Sequence, residues 1–287
     1  MQGLIIENIS NMYKIKTNSG IYEAVARGKF KQGEVSPVVG DTSRIQIIDE
    51  EKKQAVIEDI EPRKNYNKRP KISNITQMIL VLSSKDPKPD LLMLDKQLAY
   101  AEFQEIKPVI VLNKIDLDSE NEFKKIRQIY NKIGYEILET EAKNQKGIGK
   151  LKKVLKNNIN VFSGNSGVGK STLINAIFNE EMTLEGEISK KNKRGKNTTT
   201  SVKLYEIDEN TYIADTPGFS TFDVSEIHKN DLCKYFVEFK KEINNCKYTG
   251  CTHIKEESCG IKKAVQEGKV SEERYERFIK IYNELNN

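Results

Sequence analysis

The stretch Gly164-Asn165-Ser166-Gly167-Val168-Gly169-Lys170-Ser171-Thr172 constrains this chain more than any other. It fits G-x-x-x-x-G-K-[ST], the pattern of a phosphate-binding loop. Its glycines let the backbone curl until successive N–H groups face one anion, and the helix that follows adds the positive end of its dipole. In that pattern Lys170 reaches the β- and γ-phosphates and Ser171 offers its hydroxyl to Mg²⁺. Asn160-Val161-Phe162-Ser163 reads as a short buried strand entering the loop. Leu173, Ile174, Ile177 and Phe178 give the departing helix an apolar face. A bare glycine turn needs neither the lysine nor two hydroxyls at the helix start, so the pattern implies binding of a nucleoside triphosphate.

With 287 residues the chain has room for about two domains or a core with appendages. Hydrophobic residues at 37% against 31% charged ones describe a soluble, surface-rich chain. A net charge of +5 is mild, so contact with a polyanion is expected only where charge clusters. No apolar run approaches the roughly 18 residues of a membrane span, and no N-terminal signal segment is visible. The expectation is a cytoplasmic protein with no membrane partner.

Residues 1 to 65 carry short alternating runs, among them Leu4-Ile5-Ile6, Met12-Tyr13-Lys14-Ile15 and Arg44-Ile45-Gln46-Ile47-Ile48. Turn signals such as Asn18-Ser19-Gly20 and Gly40-Asp41 separate them. Five short strands in this span predict a small antiparallel barrel of the OB type. Between 62 and 73 five positive charges, no acids and two prolines mark a linker, read either as a solvated connector or as a phosphate-backbone contact.

From 74 onward strands alternate with helices. Residues 75–82 and 108–112 are continuous apolar runs, and Asp90 is placed to cap a helix through Leu91, Leu94, Leu98 and Ala101. Ser119 with Glu122 reads as a capping box for the next helix. This alternation predicts a mainly parallel, doubly wound sheet, whose ligands sit beyond the carboxyl ends of the strands.

Asn113-Lys114-Ile115-Asp116 follows one such strand and resembles the guanine-specifying N-K-x-D motif of GTPases. Asp116 can accept hydrogen bonds from the guanine ring N–H and its exocyclic amino group, a donor pair that adenine lacks. Lys114 would lie along the base. Asp215-Thr216-Pro217-Gly218, after the strand residues Tyr212-Ile213-Ala214, matches D-x-x-G. There Asp215 would hold Mg²⁺ through water, and the Gly218 N–H would sense the γ-phosphate. In the basic run before it, Thr199, with Thr198 as the alternative, is expected to complete the Mg²⁺ shell. GTP and GDP are thus the expected nucleotides, with Mg²⁺ accompanying GTP. Ordinary GTPases place N-K-x-D last, whereas here it comes first. That order is a circular permutation, tolerable because domain ends lie at the surface and often close together.

Cys246, Cys251, His253 and Cys259 give C-x₄-C-x-H-x₅-C, a donor set for one closed, tetrahedral and therefore structural Zn²⁺. Cys233 lies outside it and is expected in the core, and His228 is expected to be exposed or to cap a helix. Ser271-Glu272-Glu273 starts a last helix with the apolar stripe Tyr275, Phe278, Ile279, Tyr282 and Leu285.

With these motifs in this order, the chain resembles the ribosome small subunit-dependent GTPase A family, and the resemblance spans essentially its whole length. The resemblance and the residues together describe a multidomain α/β protein. An N-terminal OB-type β-barrel covers 1–65, a circularly permuted P-loop GTPase domain with a doubly wound sheet covers 66–222, and a C-terminal helical zinc-binding module covers 223–287. The family implies GTP hydrolysis stimulated by the small ribosomal subunit, a role in its late maturation, rRNA contact and a cytoplasmic location. Nothing in the sequence demands a dimer, so a monomer is expected. In the first switch Asn197 stands where the family usually has histidine. Glu141-Ala142-Lys143 stands where a Ser-Ala-type base-contacting loop is usual, and Phe219 where many GTPases carry a water-orienting glutamine. These features imply slow turnover that a partner accelerates. The alternative is a nucleotide-gated rRNA-binding scaffold in which hydrolysis is incidental.

Overall fold

A computed structural model describes residues 1–28, 30, 36–178, 202–215 and 224–285. In chain order its strands and helices are β1 (Gln2–Ile9), β2 (Met12–Thr17), β3 (Gly20–Ala26), β4 (Thr42–Asp49), β5 (Gln54–Ile60), β6 (Tyr66–Lys68), β7 (Lys71–Ser73), β8 (Gln77–Ser83), α1 (Leu91–Phe103), β9 (Lys107–Asn113), α2 (Glu122–Ile133), β10 (Glu136–Thr140), α3 (Ile148–Leu155), β11 (Ile159–Ser163), α4 (Lys170–Phe178), β12 (Lys203–Asp208), β13 (Thr211–Asp215), α5 (Gly260–Gln266) and α6 (Glu272–Glu284). Short 3₁₀ turns fill much of the stretch between β13 and α5. The chain forms two compact units. One comprises Met1–Met78, Gly149–Phe162 and Leu173–Phe219, and the other comprises Ile79–Ile148, Ser163–Thr172 and Ser220–Asn287.

In the first unit β1 to β5 form the expected barrel, though not a wholly antiparallel one, because β3 runs parallel to β5. Ile5, Ile15, Tyr22, Ile45 and Ile57 point inward and are buried. Strand β1 pairs with both β2 and β4, so the barrel closes and its edges are covered. Strands β12 and β13 form an antiparallel pair, and β13 runs parallel to β11.

The supposed linker is not a loose connector. Tyr66–Lys68 and Lys71–Ser73 pair as an antiparallel hairpin. One of the five cations, Arg63, is committed to the fold: its Nε and Nη2 donate to the two carboxylate oxygens of Asp41 at 2.7 and 2.8 Å. Asp41 is fully buried, and Ser73 Oγ and the Val38 N–H also donate to it. A buried carboxylate needs such a counter-charge and filled lone pairs, which is why this segment is ordered.

In the second unit β10 runs parallel to β9, and β8 lies on the other side of β9. Every residue of β8 is buried, as its continuous apolar run requires. Helix α1 starts at Asp90, whose carboxylate accepts from the Met93 N–H at 2.9 Å. The capping box expected at α2 does not form. Asn121, at φ +57°, is the N-cap and makes no side-chain cap bond, and the Ser119 N–H donates to Leu117 O instead. The left-handed residue swings Ser119 away from the first turn.

In the C-terminal stretch of this unit Phe236, Phe239 and Phe278 meet with ring centroids 5.0–5.3 Å apart. Such pairs contribute about 0.5–1.5 kcal/mol each beyond area burial. Helix α6 is capped by Ser271, as expected, but its buried face is Arg274, Phe278, Ile281 and Leu285. The Arg274 guanidinium, only 1% exposed, donates to Asp95 of α1 and to Glu238. Arg277 Nε and Tyr130 Oη donate to the same Asp95 carboxylate at 2.5 and 2.6 Å. His228 Nδ1 accepts from the Asn230 N–H at 3.3 Å and so caps a 3₁₀ turn, and Cys233 is half-buried rather than core.

Candidate nucleotide and metal sites

Strand β11 delivers the chain into the loop at Gly164, and α4 begins at Lys170. Gly164, Gly167 and Gly169 have φ of +141°, +85° and +97°, so the loop's curl rests on three backbone positions that side chains rarely adopt. At Gly164 a Cβ would lie 2.2 Å from Val81 O, and at Gly169 one would lie 2.4 Å from Asn113 Nδ2. Gly164→Ala is therefore expected to lower the unfolding free energy by about 1–3 kcal/mol, since backbone must move on both sides. Gly149→Ala, at a helical position with open space around it, is expected to raise it by about 0.5–1 kcal/mol. Equilibrium denaturation of the two variants checks both signs.

Lys170 Nζ donates to Gly164 O and Asn165 O at 2.7 and 2.9 Å. Its ammonium thus lies folded into the mouth of the loop, and burial lowers its pKa. Lone carbonyls compensate a half-buried ammonium poorly, and an anion in the loop would compensate it better. Asn165 is half-buried, Val168 is buried, and Ser166, Ser171 and Thr172 are exposed, so both hydroxyls at the helix start open to solvent.

Asn113 closes β9, and its side chain joins three segments. Its Nδ2 donates to Val168 O at 2.9 Å, and its Oδ1 accepts from Thr140 Oγ1 at 3.0 Å and from the Ala142 N–H at 3.4 Å. Residues 113 and 168, far apart in sequence, are thereby held together with the turn at 141–145. That turn is closed by the paired backbone of Glu141 and Lys146. Lys114, at φ +60°, sends its ammonium to Asp86 O at 2.7 Å. Asp116 lies exposed in a single 3₁₀ turn.

Sequence reasoning missed two neighbours of the loop. Pro87 Cδ would lie 3.5 Å from a Cβ on Gly167, and Gln97 of α1 donates from its Nε2 to Ser163 Oγ at 2.8 Å. The only available signal for the first was the proline-bounded loop after β8. Asp215 is the last residue of β13 in the other unit. Thr199, Thr198 and Gly218 lie outside the described residues.

The cysteine–histidine cluster converges. Cys246, Cys251, His253 and Cys259 each offer one ligand atom, all within 4.8 Å of one another. His253 Nδ1 is 3.5 Å from the sulfurs of both Cys246 and Cys259, which are 4.0 Å apart. Bonds of about 2.3 Å to sulfur and 2.0 Å to nitrogen give tetrahedral edges of about 3.8 and 3.5 Å, so the cluster fits one tetrahedral ion. Without a cation, burial pushes the Cys251 thiol up to about 12 and lowers His253. A dication would reverse the thiol's preference. These residues could hold one metal ion.

With both sites described, known proteins supply a frame. The RsgA GTPase family profile matches residues 60–225, and the RsgA N-terminal domain profile matches 2–57. The "small ribosomal subunit biogenesis GTPase RsgA" of Clostridium perfringens (strain SM101 / Type A) is 43% identical over 287 residues, covering 100% of this chain and 99% of that protein. The protein of the same name from Clostridium acetobutylicum is 44% identical over 285 residues, covering 99% and 98%. The crystal structure of YjeQ from Thermotoga maritima superposes with a TM-score of 0.87 at 35% identity, covering 99% of this chain and 98% of that one. That of YloQ, described as a circularly permuted GTPase, gives 0.83 at 28% identity, covering 99% and 94%. The GTPase profile spans more than half of the chain and these relatives align with nearly all of it, so the chain belongs to the RsgA GTPase family.

Proposed function

We propose that this chain hydrolyses GTP to GDP and phosphate in the biogenesis of the small ribosomal subunit, and that the subunit stimulates it. The observation that supports this reading is the Asn113 side chain bonded to Val168 O, which holds the end of β9, where N-K-x-D begins, against the glycine loop. Lys170 and the N–H groups of 164–172 hold the phosphates, Asp116 reads the base with Lys114 along it, and Asn113 ties that segment to the phosphate loop. Ser171, Asp215 and Thr199 hold Mg²⁺, which neutralises charge on the β- and γ-phosphates. The Gly218 N–H senses the γ-phosphate. Movement of that segment is relayed to the residues after 222, so 1–65, 66–222 and 223–287 act as barrel, motor and docking module.

The ion in the Cys/His cluster is Zn²⁺, and it is structural because four protein donors leave no open position. No helix among the described residues is long and apolar enough to cross a membrane. The reading is of a cytoplasmic monomer that contacts rRNA.

Phe219 puts an apolar ring after Gly218 where many GTPases orient water, and Asn197 replaces the histidine usual in the first switch, so the chain's own turnover is slow. Turnover of GTP by the purified protein is expected to rise at least about tenfold when isolated small subunits are added. Equal rates with and without subunits would sink the reading. Asp116→Asn is expected to shift preference toward xanthosine nucleotides, because the amide offers a donor where the carboxylate only accepts. A variant that binds GTP without cleaving it separates this reading from a nucleotide-gated scaffold. Its release from the subunit fails only if hydrolysis is the timing step.

A further inference from the structure

Among the exposed large apolar side chains of the described residues, one is an aromatic ring. Tyr248 is 52% exposed, in the segment 247–250 that bridges Cys246 and Cys251. All four residues of this bridge, Lys247, Tyr248, Thr249 and Gly250, are exposed. The Lys247 ammonium lies 5.6 Å from the ring centroid. The tip is built on fixed ends. The Lys247 N–H donates to Ser258 O at 3.1 Å, and the Cys246 N–H donates to Ile243 O at 3.1 Å. On the other side Gly250 turns at φ +76°, and Thr252 donates from both its N–H and its hydroxyl to Glu256 at 2.9 Å.

A half-exposed ring forfeits the gain of burying its apolar face, and here the supporting backbone holds it in water. The neighbours decide what such a ring can receive. Its chain neighbours Lys247, Thr249 and Gly250 provide a cation, a hydroxyl and open backbone, and none of the three is an apolar residue. The exposed barrel residues Ile9, Met12 and Val25 form the opposite kind of surface, aliphatic and paired across neighbouring strands. A flat π-face beside an exposed cation suits an unpaired nucleobase and its phosphate, since every base can stack on an aromatic ring and the ammonium meets the backbone.

We propose that Tyr248, with Lys247, is a stacking platform for one unpaired base of single-stranded RNA, borne on the tip of the Cys/His knuckle. The proposal deepens the ribosomal reading and rests on it for the choice of RNA as partner. It assigns the knuckle to a loop or bulge, whereas a duplex, whose bases are already stacked, has no face to offer this ring.

The test uses the full metal-loaded chain and a 12-nucleotide oligouridylate carrying one 2-aminopurine, whose weakly stacking neighbours leave it bright until it stacks on an aromatic ring. An RNA hairpin of equal length is the comparison. Wild type and Tyr248→Phe are expected to quench alike, with affinities within about twofold. Tyr248→Leu is expected to lose the quench and to bind the single strand about 5- to 100-fold more weakly, with hairpin binding and zinc content unchanged. Lys247→Ala is expected to flatten the salt dependence by about 0.7 in log–log slope. If Tyr248→Leu keeps its metal and still quenches and binds like wild type, the platform does not exist. If it binds RNA normally but docks poorly on isolated small subunits, the ring serves a protein and the proposal is equally overturned. Stimulation of wild-type GTP turnover by subunits reports separately on the ribosomal reading, so the two failures are distinguishable.

Discussion

Arg274→Leu is expected to lower the unfolding free energy by about 3–5 kcal/mol, the largest loss from any single side chain outside the metal cluster. The reason lies in what remains. Asp95 is fully buried on α1, and Glu238 is 9% exposed at its side chain. With the guanidinium gone, Arg277 and Tyr130 still reach Asp95, but Glu238 loses both of its donors from Arg274, at Nε and Nη2. Leucine fills most of the volume beside Phe236, whose ring now faces the guanidinium at 4.6 Å, so the cost is uncompensated charge rather than a cavity. Urea denaturation of the whole chain measures it. A double-mutant cycle with Glu238→Leu is expected to show strong coupling, the pair of changes costing well under the sum of the single ones, because the charge left unpaired is then removed as well. Lys234→Ala, which breaks an exposed pair with Asp231, is the control and is expected to leave the midpoint unchanged. If Arg274→Leu behaved like that control, α6 would be held by its aromatic face alone.

That residue also marks where sequence reasoning stops. The stripe read on the last helix was Tyr275, Phe278, Ile279, Tyr282 and Leu285. The face actually buried is Arg274, Phe278, Ile281 and Leu285, rotated by about one residue. An arginine reads as solvent-facing, and the positions of Asp95, 179 residues away in the chain, and of Glu238 make it a core residue. The hairpin at 66–73 was obscured in the same way, because its order depends on Asp41 pairing with Arg63 across the barrel unit. The capping box at Ser119 failed for a local reason, a left-handed Asn121 that residue preference alone does not announce.

What was legible is what short-range chemistry dictates. The strands of the barrel alternate because one face of each is wet. Strand β8 is a solid apolar run because none of it is. The phosphate loop is readable because its glycines are demanded by backbone angles, whereas Asn113 is legible only as part of its motif, its bond to Val168 O joining segments far apart in the chain. The cysteine spacing likewise encodes a short knuckle closing on one point.

The knuckle's dependence on its ion is the second large effect. Between Cys246 and Cys259 only His253 and Cys259 are buried, so this stretch has almost no apolar surface with which to offset the entropy of being ordered. Its own hydrogen bonds are few, chiefly Lys247 N–H to Ser258 O and Thr252 to Glu256. Structural zinc sites supply on the order of 10–16 kcal/mol of apparent binding free energy in isolated finger peptides, far more than either of those bonds. Removing the ion with a strong chelator, or one ligand by Cys251→Ser, is therefore expected to raise amide hydrogen exchange across 246–259 by at least about a hundredfold. Protection in β8, β9 and the phosphate loop should change little, because those segments are held by burial and by Asn113. Tyr275 is the point at which the damage would spread, since its hydroxyl donates to His253 O at 2.6 Å and ties α6 to the cluster. Arg274, one residue away, anchors the same helix to Asp95 independently. Exchange in α6 should thus rise only at its first turn in the chelated wild type, and along its whole length when Arg274→Leu and chelation are combined. Full protection of 246–259 after the ion has been removed would mean that the polypeptide, and not the metal, shapes the knuckle.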